Sequence, residues 1–334
     1  MRNRHIGLLL SWLLCLVATA QVFDKASYYA SAEGKKGKEL KTALCHIIYQ
    51  ATAPVSYAEL KGAYLTTDVR EDGCIWDMYS NATHYTPGSA FAAAYKYEGD
   101  GYNREHTIPQ SIFSERAPMK SDLYHVYPTD AKINGVRANY CHGEVGKVTI
   151  ASQNDFNVLG RPTAELEEQG CHEDLVFEPN DMYKGDFART YFYFVTCYEN
   201  EMPSLKPYGM FKENTYPSLS TWASKMLMKW SEQDMVSEKE TQRIEAVYQL
   251  QHNRNPFIDF PGLEQYIWGT YQEVSFSATA YVNPYTGSAD HMDQIMASQE
   301  DKPTLIYDMY GRRLLSGKPA KHGVYIVGGR KVMR

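Results

Sequence analysis

The chain has 334 residues, with 34 lysines and arginines against 40 aspartates and glutamates, and a formal net charge of −6. Because single hydrophobic cores stop growing at about 250 to 300 residues, this length predicts one sizeable domain with a small appendage. The negative charge excludes a strongly basic protein that holds nucleic acid through its overall field, while leaving room for a few well-placed cations that capture phosphate locally.

The first twenty residues have the pattern of a secretory signal peptide. Two arginines precede an apolar run over 6–18, and Ala18-Thr19-Ala20 supplies the small residues of a cleavage site. The run is shorter than the roughly 20 residues that a membrane-spanning helix needs, and no later segment is apolar enough to cross a bilayer. We therefore expect a signal peptide over 1–20, export of the mature chain, and no membrane insertion.

The first part of the mature chain favours helices. Apolar residues recur at helical spacing over 39–50, and a second, shorter helix is expected over 56–64. The pattern then turns extended around 74–80. The core should therefore begin with an amphipathic helix.

Two short β-prone segments flank a polar connection in the middle of the chain. The first contains His106 and ends at Pro109, and the second spans 124–127 and ends at Pro128. Pro128 suits the first position of a following helix, where its missing N–H is no loss, and Asp130 adds negative charge at the helix N-terminus. The expected order is strand, loop, strand, helix.

The predicted helix carries polar residues on one face. Asp130, Asn134 and Arg137 are spaced by four and three residues, so their face can look back at the hairpin that bears His106. Gly135 lies in the helix interior, where glycine costs about 1 kcal/mol relative to alanine. The close approach of a phosphate or of another backbone would explain it.

Three further helices are expected before residue 272. The first runs over 186–198, capped by Asp186, and its aromatic run over 191–195 implies burial on most sides. The second runs over 220–230. The third opens with a capping box formed by Ser237 and Glu240. These elements predict a helix-rich α+β core over 25–272.

The end of the chain changes in composition. A linker rich in serine, proline and glycine is expected over 273–302, and short strands separated by turns over 303–313 and 322–332. This tail resembles the C-terminal sorting domain recognised by the bacterial type IX secretion system, with an ordinary terminal hairpin as the alternative. The resemblance implies a small β domain over 303–334 that contacts the secretion machinery and carries no chemistry.

Five cysteines remain after the signal segment: Cys45, Cys74, Cys141, Cys171 and Cys197. Because an exported protein meets an oxidising compartment, we expect one or two disulfides and one unpaired thiol, with a pairing that the sequence does not fix. Cys141 and Cys171 each precede a histidine, which raises a zinc site as an alternative to a bridge between them. No Cys-x2–4-Cys spacing supports zinc.

The central motifs resemble the bacterial endonuclease I family of secreted and periplasmic nucleases. The matching residues are Arg104-Glu105-His106 through Pro109-Gln110-Ser111, then Ser121-Asp122-Leu123, Pro128-Thr129-Asp130, and Asn134-Gly135 through Arg137 and Asn139. Similarity continues at 177–179, 184–189 and 253–259, so that it spans most of residues 25–270. The resemblance implies that the core contains a ββα-metal, or His-Me finger, motif.

The resemblance also implies roles for single residues. His106 would be the general base, Glu105 and Asn134 the ligands of a divalent metal ion, and Arg137 a phosphate contact. Imidazole titrates near neutrality, and carboxylate and amide oxygens suit Mg²⁺, with Mn²⁺ or Ca²⁺ as alternatives. The candidate substrate-binding residues are His125, Arg104, Asn139 and Arg254. A histidine satisfied in the core and a buried ion pair are the alternative interpretations of His125 and Arg254.

The predicted function is that of a secreted, metal-dependent endonuclease that leaves 5′-phosphate and 3′-hydroxyl ends. No base-reading motif is visible, so cleavage should not depend on sequence, and DNA and RNA both remain candidate substrates. The alternatives are a surface binding module without turnover and a zinc hydrolase built on the Cys-His pairs. We expect a monomer, although the sequence does not fix the oligomeric state.

Overall fold

A computed structural model describes residues 23–50, 52–286, 306–308, 324–327 and 330–333 of the chain. The described helices are α1 (Lys25–Tyr28), α2 (Gly37–Gln50), α3 (Leu60–Thr67), α4 (Ala131–Arg137), α5 (Ala164–Glu168), α6 (Lys184–Cys197), α7 (Thr221–Gln233), α8 (Glu238–Gln251), α9 (Pro256–Asp259) and α10 (Leu263–Ile267). The described strands are β1 (Tyr102–His106), β2 (Val126–Asp130), β3 (Cys141–His142), β4 (Val145–Ala151), β5 (Val158–Pro162), β6 (Val176–Glu178), β7 (Ile306–Asp308), β8 (Val324–Val327) and β9 (Arg330–Met333). This is the helix-rich α+β fold that the sequence predicts.

Helix α6 forms the centre of the core. Every residue from Gly185 to Cys197 is buried, and α2, α7 and α9 pack around it. Full burial of one large apolar side chain contributes about 1.5 to 3 kcal/mol, so the aromatic run over 191–195 is a main source of stability. The predicted burial of this run on most sides is confirmed.

The ends of two helices show how local residues set helix boundaries. At the start of α8, Ser237 Oγ accepts from the backbone N–H of Glu240, and Glu240 Oε2 accepts from the backbone N–H of Ser237. The predicted capping box is therefore confirmed. The cap predicted for α6 is wrong, because that helix begins at Lys184 and the buried Asp186 pairs with Lys239 Nζ at 2.6 Å.

The strands form three small sheets. Strands β1 and β2 make an antiparallel hairpin, and the second sheet has the order β3-β6-β5-β4, in which only β3 and β6 run parallel. The third sheet, β7-β8-β9, is antiparallel and lies in the tail where the sequence predicts short strands. The small C-terminal β appendage is thus part of the observed fold.

The hairpin and the helix after it differ in detail from the predicted segment. Pro128 lies inside β2, opposite Arg104, and helix α4 begins at Ala131 instead. Asp130 is the N-cap, because its side chain accepts from the N–H of Ile133 at 2.9 Å. Both strands of a two-stranded sheet are edge strands, and at an edge position the backbone N–H need not pair with another strand. A proline, which lacks this N–H, is therefore tolerated in β2.

The core extends beyond residue 272, the predicted end of the nuclease domain. Phe276 and Tyr285 fall inside the segment expected to be a linker, yet both side chains are buried, and Tyr285 donates to Glu264. The predicted signal segment over 1–20 and residues 287–302 of the predicted linker lie outside the described residues. Among the residues that are described, no helix is long and apolar enough to cross a membrane.

The disulfide prediction is not met by the described residues. All five cysteine thiols in the described part of the chain are free, and four of them are buried. Burial raises the pKa of the Cys141 thiol to about 12, so that this side chain stays protonated. These cysteines pack as small apolar groups within the core.

Candidate active site

The β1–β2 hairpin and helix α4 carry most of the predicted site residues. In the hairpin, Glu105 lies opposite Tyr127 and His106 lies opposite Val126. Helix α4 begins directly after β2 and folds back against β1, where the Asn134 Nδ2 atom donates to Asn103 Oδ1 at 2.6 Å and to the Arg104 carbonyl at 3.1 Å. The fold therefore brings Asn134 next to the strand that bears Glu105 and His106.

The orientation of the Asn134 amide follows from its partners. A backbone carbonyl only accepts hydrogen bonds, so the amide nitrogen has to face Arg104 O. The Asn134 Oδ1 atom accepts no hydrogen bond from the described residues. This oxygen is therefore available as a possible metal ligand beside the hairpin.

Glu105 is a buried carboxylate with two strong partners. Its side chain is 1% exposed, Arg137 Nη1 lies 2.9 Å from Oε1, and the Tyr79 hydroxyl donates to the same oxygen at 2.8 Å. Burial raises the pKa of Glu105, and the Arg137 charge and the Tyr79 hydroxyl oppose that rise. Both contacts fall on Oε1, and no hydrogen bond from the described part of the chain reaches Oε2.

Arg137 lies behind the hairpin. Its side chain is 1% exposed, and besides Glu105 it donates to the carbonyls of His106 and Thr107 and, at 3.3 Å, to the Tyr208 hydroxyl. The guanidinium therefore ties helix α4 to the end of β1. Its terminal nitrogens are committed to the protein, whereas the sequence predicts a contact with phosphate.

A closed ring of buried hydrogen bonds links Arg137 and Glu105 through four other side chains. The ring runs from Glu105 to Tyr79 (2.8 Å), His142 (3.1 Å), Tyr191 (2.9 Å), Tyr208 (3.2 Å), Arg137 (3.3 Å) and back to Glu105. Each member contacts both of its neighbours in the ring, so the ring restricts the position of the Glu105 carboxylate. The tyrosines of the ring cannot be recognised from the sequence, because they come from separate segments without a shared motif.

His106 is buried on the other side of the hairpin. Its ring is 5% exposed, and Nε2 lies 2.9 Å from the Lys120 carbonyl. Since this carbonyl only accepts, Nε2 carries the proton and Nδ1 is the basic nitrogen of the neutral ring. Burial lowers the pKa of His106 to about 3, with His125 adding to the effect and the carbonyls of Lys120 and Arg104 opposing it.

His125 packs behind His106. The two rings meet edge to face with centroids 5.9 Å apart, and His125 has no exposed surface. Its Nε2 atom donates to the Met119 carbonyl, Nδ1 is buried without a partner, and burial lowers its pKa to about 4. The structure therefore encloses this ring in the core, where it supports the position of His106.

The other predicted substrate residues lie in different surroundings. Arg254 is 2% exposed and pairs with Asp259 at 2.8 Å and Glu245 at 2.7 Å, as in the buried ion pair considered for it. Asn139 is exposed and lines a groove of about 550 Å³ together with Tyr208. Arg104 is half-buried on β1, between two aromatic rings. Arg104 and Asn139 are the members of this group that solvent reaches.

The residues proposed for zinc binding do not form a site around His142. Both of its ring nitrogens are engaged by tyrosine hydroxyls, and Cys141 is buried as a protonated thiol. A separate exposed cluster is formed by Asp72, Cys74 and His84, but the guanidinium of Arg70 already lies 2.8 Å from Asp72 and 3.1 Å from His84. A cation of the protein itself therefore occupies this cluster.

The chain is similar in sequence to several known nucleases. The extracellular ribonuclease of Bacillus amyloliquefaciens is 31% identical over 257 residues, which cover 73% of this chain and 79% of the relative. The extracellular ribonuclease of Bacillus subtilis (strain 168) is 32% identical over 269 residues, covering 77% and 83%. Endonuclease-1 of Buchnera aphidicola subsp. Baizongia pistaciae (strain Bp) is 25% identical over 140 residues, covering 42% and 46%.

The family model described as Endonuclease I matches residues 36–262, which include the hairpin, helix α4 and the core around α6. This match extends over more than half of the chain, and it contains every residue discussed above as part of the site. The chain therefore belongs to the endonuclease I family and is a nuclease.

Proposed function

We propose that this chain is an exported endonuclease that hydrolyses phosphodiester bonds with His106 as general base and a divalent metal ion held by Glu105 and Asn134. The observation that supports it is the hairpin and helix, in which Glu105 and His106 are adjacent on β1 and Asn134 of α4 donates to the carbonyl of Arg104, the residue before Glu105. This arrangement fits a ββα-metal, or His-Me finger, motif. Nucleases of the family generally depend on a divalent metal ion.

The donor atoms fit such an ion. Glu105 Oε2 and Asn134 Oδ1 accept no hydrogen bond within the described residues, and carboxylate and amide oxygens are suitable ligands for Mg²⁺. A hard cation would also stabilise the charge of a carboxylate that burial otherwise disfavours. When bound, Mg²⁺ would neutralise charge that develops on the phosphate oxygens and on the leaving 3′ oxygen.

The protein residues would perform the proton transfer. His106 Nδ1 takes a proton from a water molecule as the water oxygen attacks phosphorus, and the Lys120 carbonyl holds the ring in place through Nε2. The bond from phosphorus to the 3′ oxygen breaks, and that oxygen gains a proton from solvent. The products are a 5′-phosphate and a 3′-hydroxyl.

Arg137 has a different role in this proposal from the one expected from sequence. It acts as a positioning residue, because it fixes Glu105 through the 2.9 Å ion pair and fixes the end of β1 through the carbonyls of His106 and Thr107. His125 is also a positioning residue, since its ring packs against His106 and has no surface that a substrate can reach.

Two features support the expected substrate and location. Both Bacillus relatives are called extracellular ribonucleases, so RNA is the first substrate to test, with DNA beside it. The same relatives and the signal-like residues 1–20 support export of this chain. No base-reading motif is evident in the sequence, which favours cleavage that does not depend on sequence.

The test compares the purified full chain with two histidine variants on 5′-labelled RNA and on plasmid DNA. We expect His106→Ala to lose about 10²- to 10⁴-fold in rate and excess chelator to abolish cleavage. The matched control is His172→Ala, which removes an exposed histidine away from the hairpin and should cleave at the normal rate. Undiminished cleavage by His106→Ala, with its thermal unfolding unchanged, would remove His106 from the mechanism.

A further inference from the structure

Arg104 immediately precedes Glu105 on strand β1. Side chains alternate across a strand, so Arg104 and His106 share one side of the hairpin, and the contacts agree with this: Glu105 meets Arg137 of helix α4 on the other side. Arg104 therefore projects from the side of the hairpin that carries the proposed base.

Two aromatic rings hold the Arg104 guanidinium. The Cζ atom lies 4.2 Å from the centroid of the Tyr57 ring and 4.5 Å from that of the Phe91 ring. Cation–π contacts of this kind attract the guanidinium to the ring faces, and the attraction is stronger where the contact is desolvated. The rings come from segments outside the hairpin, so the tertiary fold fixes a side chain that would otherwise sample many rotamers.

The charge of Arg104 has no protein partner. Within the described residues its guanidinium makes no ion pair and no hydrogen bond, and its buried Nε atom has no acceptor. The more deeply buried arginines differ, because each lies within 4.0 Å of a carboxylate oxygen: Arg137, Arg189, Arg243 and Arg254. A half-buried guanidinium without an acceptor in the protein has unused hydrogen-bond donors, and an anionic ligand would stabilise it by accepting charge-assisted hydrogen bonds.

Tyr57 connects this cation to the proposed base. Its ring stacks on His106, with centroids 6.0 Å apart and an angle of 29° between the planes. Lys120 Nζ lies 4.8 Å from the same Tyr57 ring, and the Lys120 carbonyl holds His106 Nε2. One exposed ion pair, with Glu115, engages the Lys120 ammonium, and such surface pairs exchange readily.

We propose that Arg104, clamped by Tyr57 and Phe91, binds the backbone phosphate next to the scissile one on the substrate strand. Residues two apart on a strand are separated by about 6.6 Å, which offsets Arg104 from the phosphorus that His106 serves. A planar guanidinium matches phosphate oxygens through paired donors. The inference rests on the proposed function and assigns to Arg104 the phosphate contact that Arg137 is too enclosed to make.

Phosphate recognition by Arg104 carries no base information. A guanidinium in a fixed position reads the regular spacing of the backbone, so this contact would improve the affinity for every sequence by a similar factor. Tyr57 and Phe91 are positioning residues here, since they act on the substrate through Arg104.

The test measures binding without cleavage. In the full-length His106→Ala background with Ca²⁺, the affinity for a fluorescent single-stranded oligonucleotide is followed by anisotropy across salt concentrations. We expect Arg104→Gln to weaken binding about tenfold at low salt and to reduce the salt slope by about 0.7, the value for one phosphate contact on a single strand. The matched control, Arg161→Gln, removes an exposed arginine on β5 and should change neither quantity.

A second pair of variants tests the clamp. In the same His106→Ala background with Ca²⁺, Tyr57→Leu should weaken oligonucleotide binding, and Tyr57→Phe should restore the affinity because it keeps the ring. The inference is overturned when Arg104→Gln binds with the same affinity and salt slope as its parent, or when Tyr57→Phe is as impaired as Tyr57→Leu. Because binding is measured in a protein that lacks the base, failure of the proposed chemistry would show separately as activity retained by His106→Ala.

Discussion

Arg137 Nη1 lies 2.9 Å from Glu105 Oε1, and both side chains are 1% exposed. This buried ion pair joins helix α4 to strand β1, so the helix that follows the hairpin also determines where the carboxylate lies. A buried ion pair adds little net stability compared with apolar side chains of similar size. Removal of one partner, however, leaves the other charge buried and unpaired, which is strongly destabilising. The pair is therefore better explained by the position it gives Glu105 than by its contribution to folding.

We expect Arg137→Met to destabilise the protein by about 3 to 5 kcal/mol, because the Glu105 carboxylate then remains buried without its cation. The free energy of unfolding is measured with urea. Arg161→Met, which changes an exposed arginine, serves as the control and should stay within about 0.5 kcal/mol of the parent. The pairing argument predicts that adding Glu105→Gln to Arg137→Met recovers part of the loss. A double variant less stable than Arg137→Met would contradict it.

Tyr79→Phe should weaken metal binding while preserving the fold. The Tyr79 hydroxyl bridges Glu105 Oε1 and His142 Nε2, so its removal opens the buried ring of hydrogen bonds at the proposed metal ligand. Loss of a partner that orients a metal ligand typically costs about 10- to 100-fold in affinity, and one unpaired buried group costs about 1 to 3 kcal/mol. Titration of activity with Mg²⁺ measures the first effect. Tyr140→Phe, at an exposed tyrosine, is the control. Equal Mg²⁺ dependence in both variants would argue against the ring as a positioning device.

The proposed catalytic and metal-binding residues were visible in the sequence because they are close together along the chain. Glu105 and His106 are adjacent, and Asn134 lies on the helix that Pro128 and Asp130 predict. The helix begins at Ala131, three residues later than Pro128 suggests. The residues that support them were not visible. Tyr79, His142, Tyr191 and Tyr208 meet through the tertiary fold, and nothing in their local patterns distinguishes them from tyrosines and histidines that merely pack.

Gly135 shows how a correct signal can have a different cause. The sequence indicates a close approach at this position of α4, and the structure has one, but the neighbour is Tyr95: an added Cβ would lie 2.1 Å from its hydroxyl oxygen. Periodicity places Gly135 on the helix surface without saying which distant side chain will cover it. The same limit explains Arg137, whose spacing puts it on the polar face but does not reveal that Glu105 lies opposite.

A divalent ion should stabilise the protein through Glu105 and Asn134. Binding to the folded state alone raises the free energy of unfolding by about 2.7 kcal/mol at a free concentration 100 times Kd. We expect Mg²⁺ or Mn²⁺ to raise the thermal midpoint of the parent, and Glu105→Gln or Asn134→Ala to remove that rise. Asp72→Asn, in the exposed cluster that Arg70 occupies, should leave the rise intact. The opposite pattern, with Asp72→Asn as the sensitive variant, would place the stabilising ion elsewhere.

His106 should be neutral and protonated at Nε2 at pH 7. The Lys120 carbonyl is 2.9 Å from Nε2, and burial disfavours the charged ring. Long-range nitrogen–proton correlation spectra distinguish the tautomers of each histidine, and comparison with His106→Ala assigns the signal. Exposed His172 provides a reference for a ring without a fixed tautomer. A charged His106 ring at this pH would have no basic nitrogen, and a proton on Nδ1 would leave as the basic nitrogen Nε2, which faces the Lys120 carbonyl; either result would contradict the proposed role of Nδ1.

His125 should make the stability of the protein depend on pH below neutrality. Burial lowers its pKa to about 4 in the folded state, against about 6.5 in the unfolded chain, so between these values the unfolded state binds more protons and stability falls as pH falls. At pH 5 the single-site loss approaches about 2 kcal/mol, from a gap of about 1.5 units at 1.36 kcal/mol each.

Other buried groups also titrate in this window, and Asp77, with a pKa raised to about 7 by burial, acts in the opposite direction. The informative quantity is therefore the difference between the parent and His125→Gln, which keeps a donor near the Met119 carbonyl but cannot take up a proton. Urea unfolding at pH 7.5 and pH 5 should show the variant gaining about 2 kcal/mol on the parent as the pH falls. Parallel stability curves for the two proteins would mean that His125 titrates normally in the folded state, and hence that its ring is open to water.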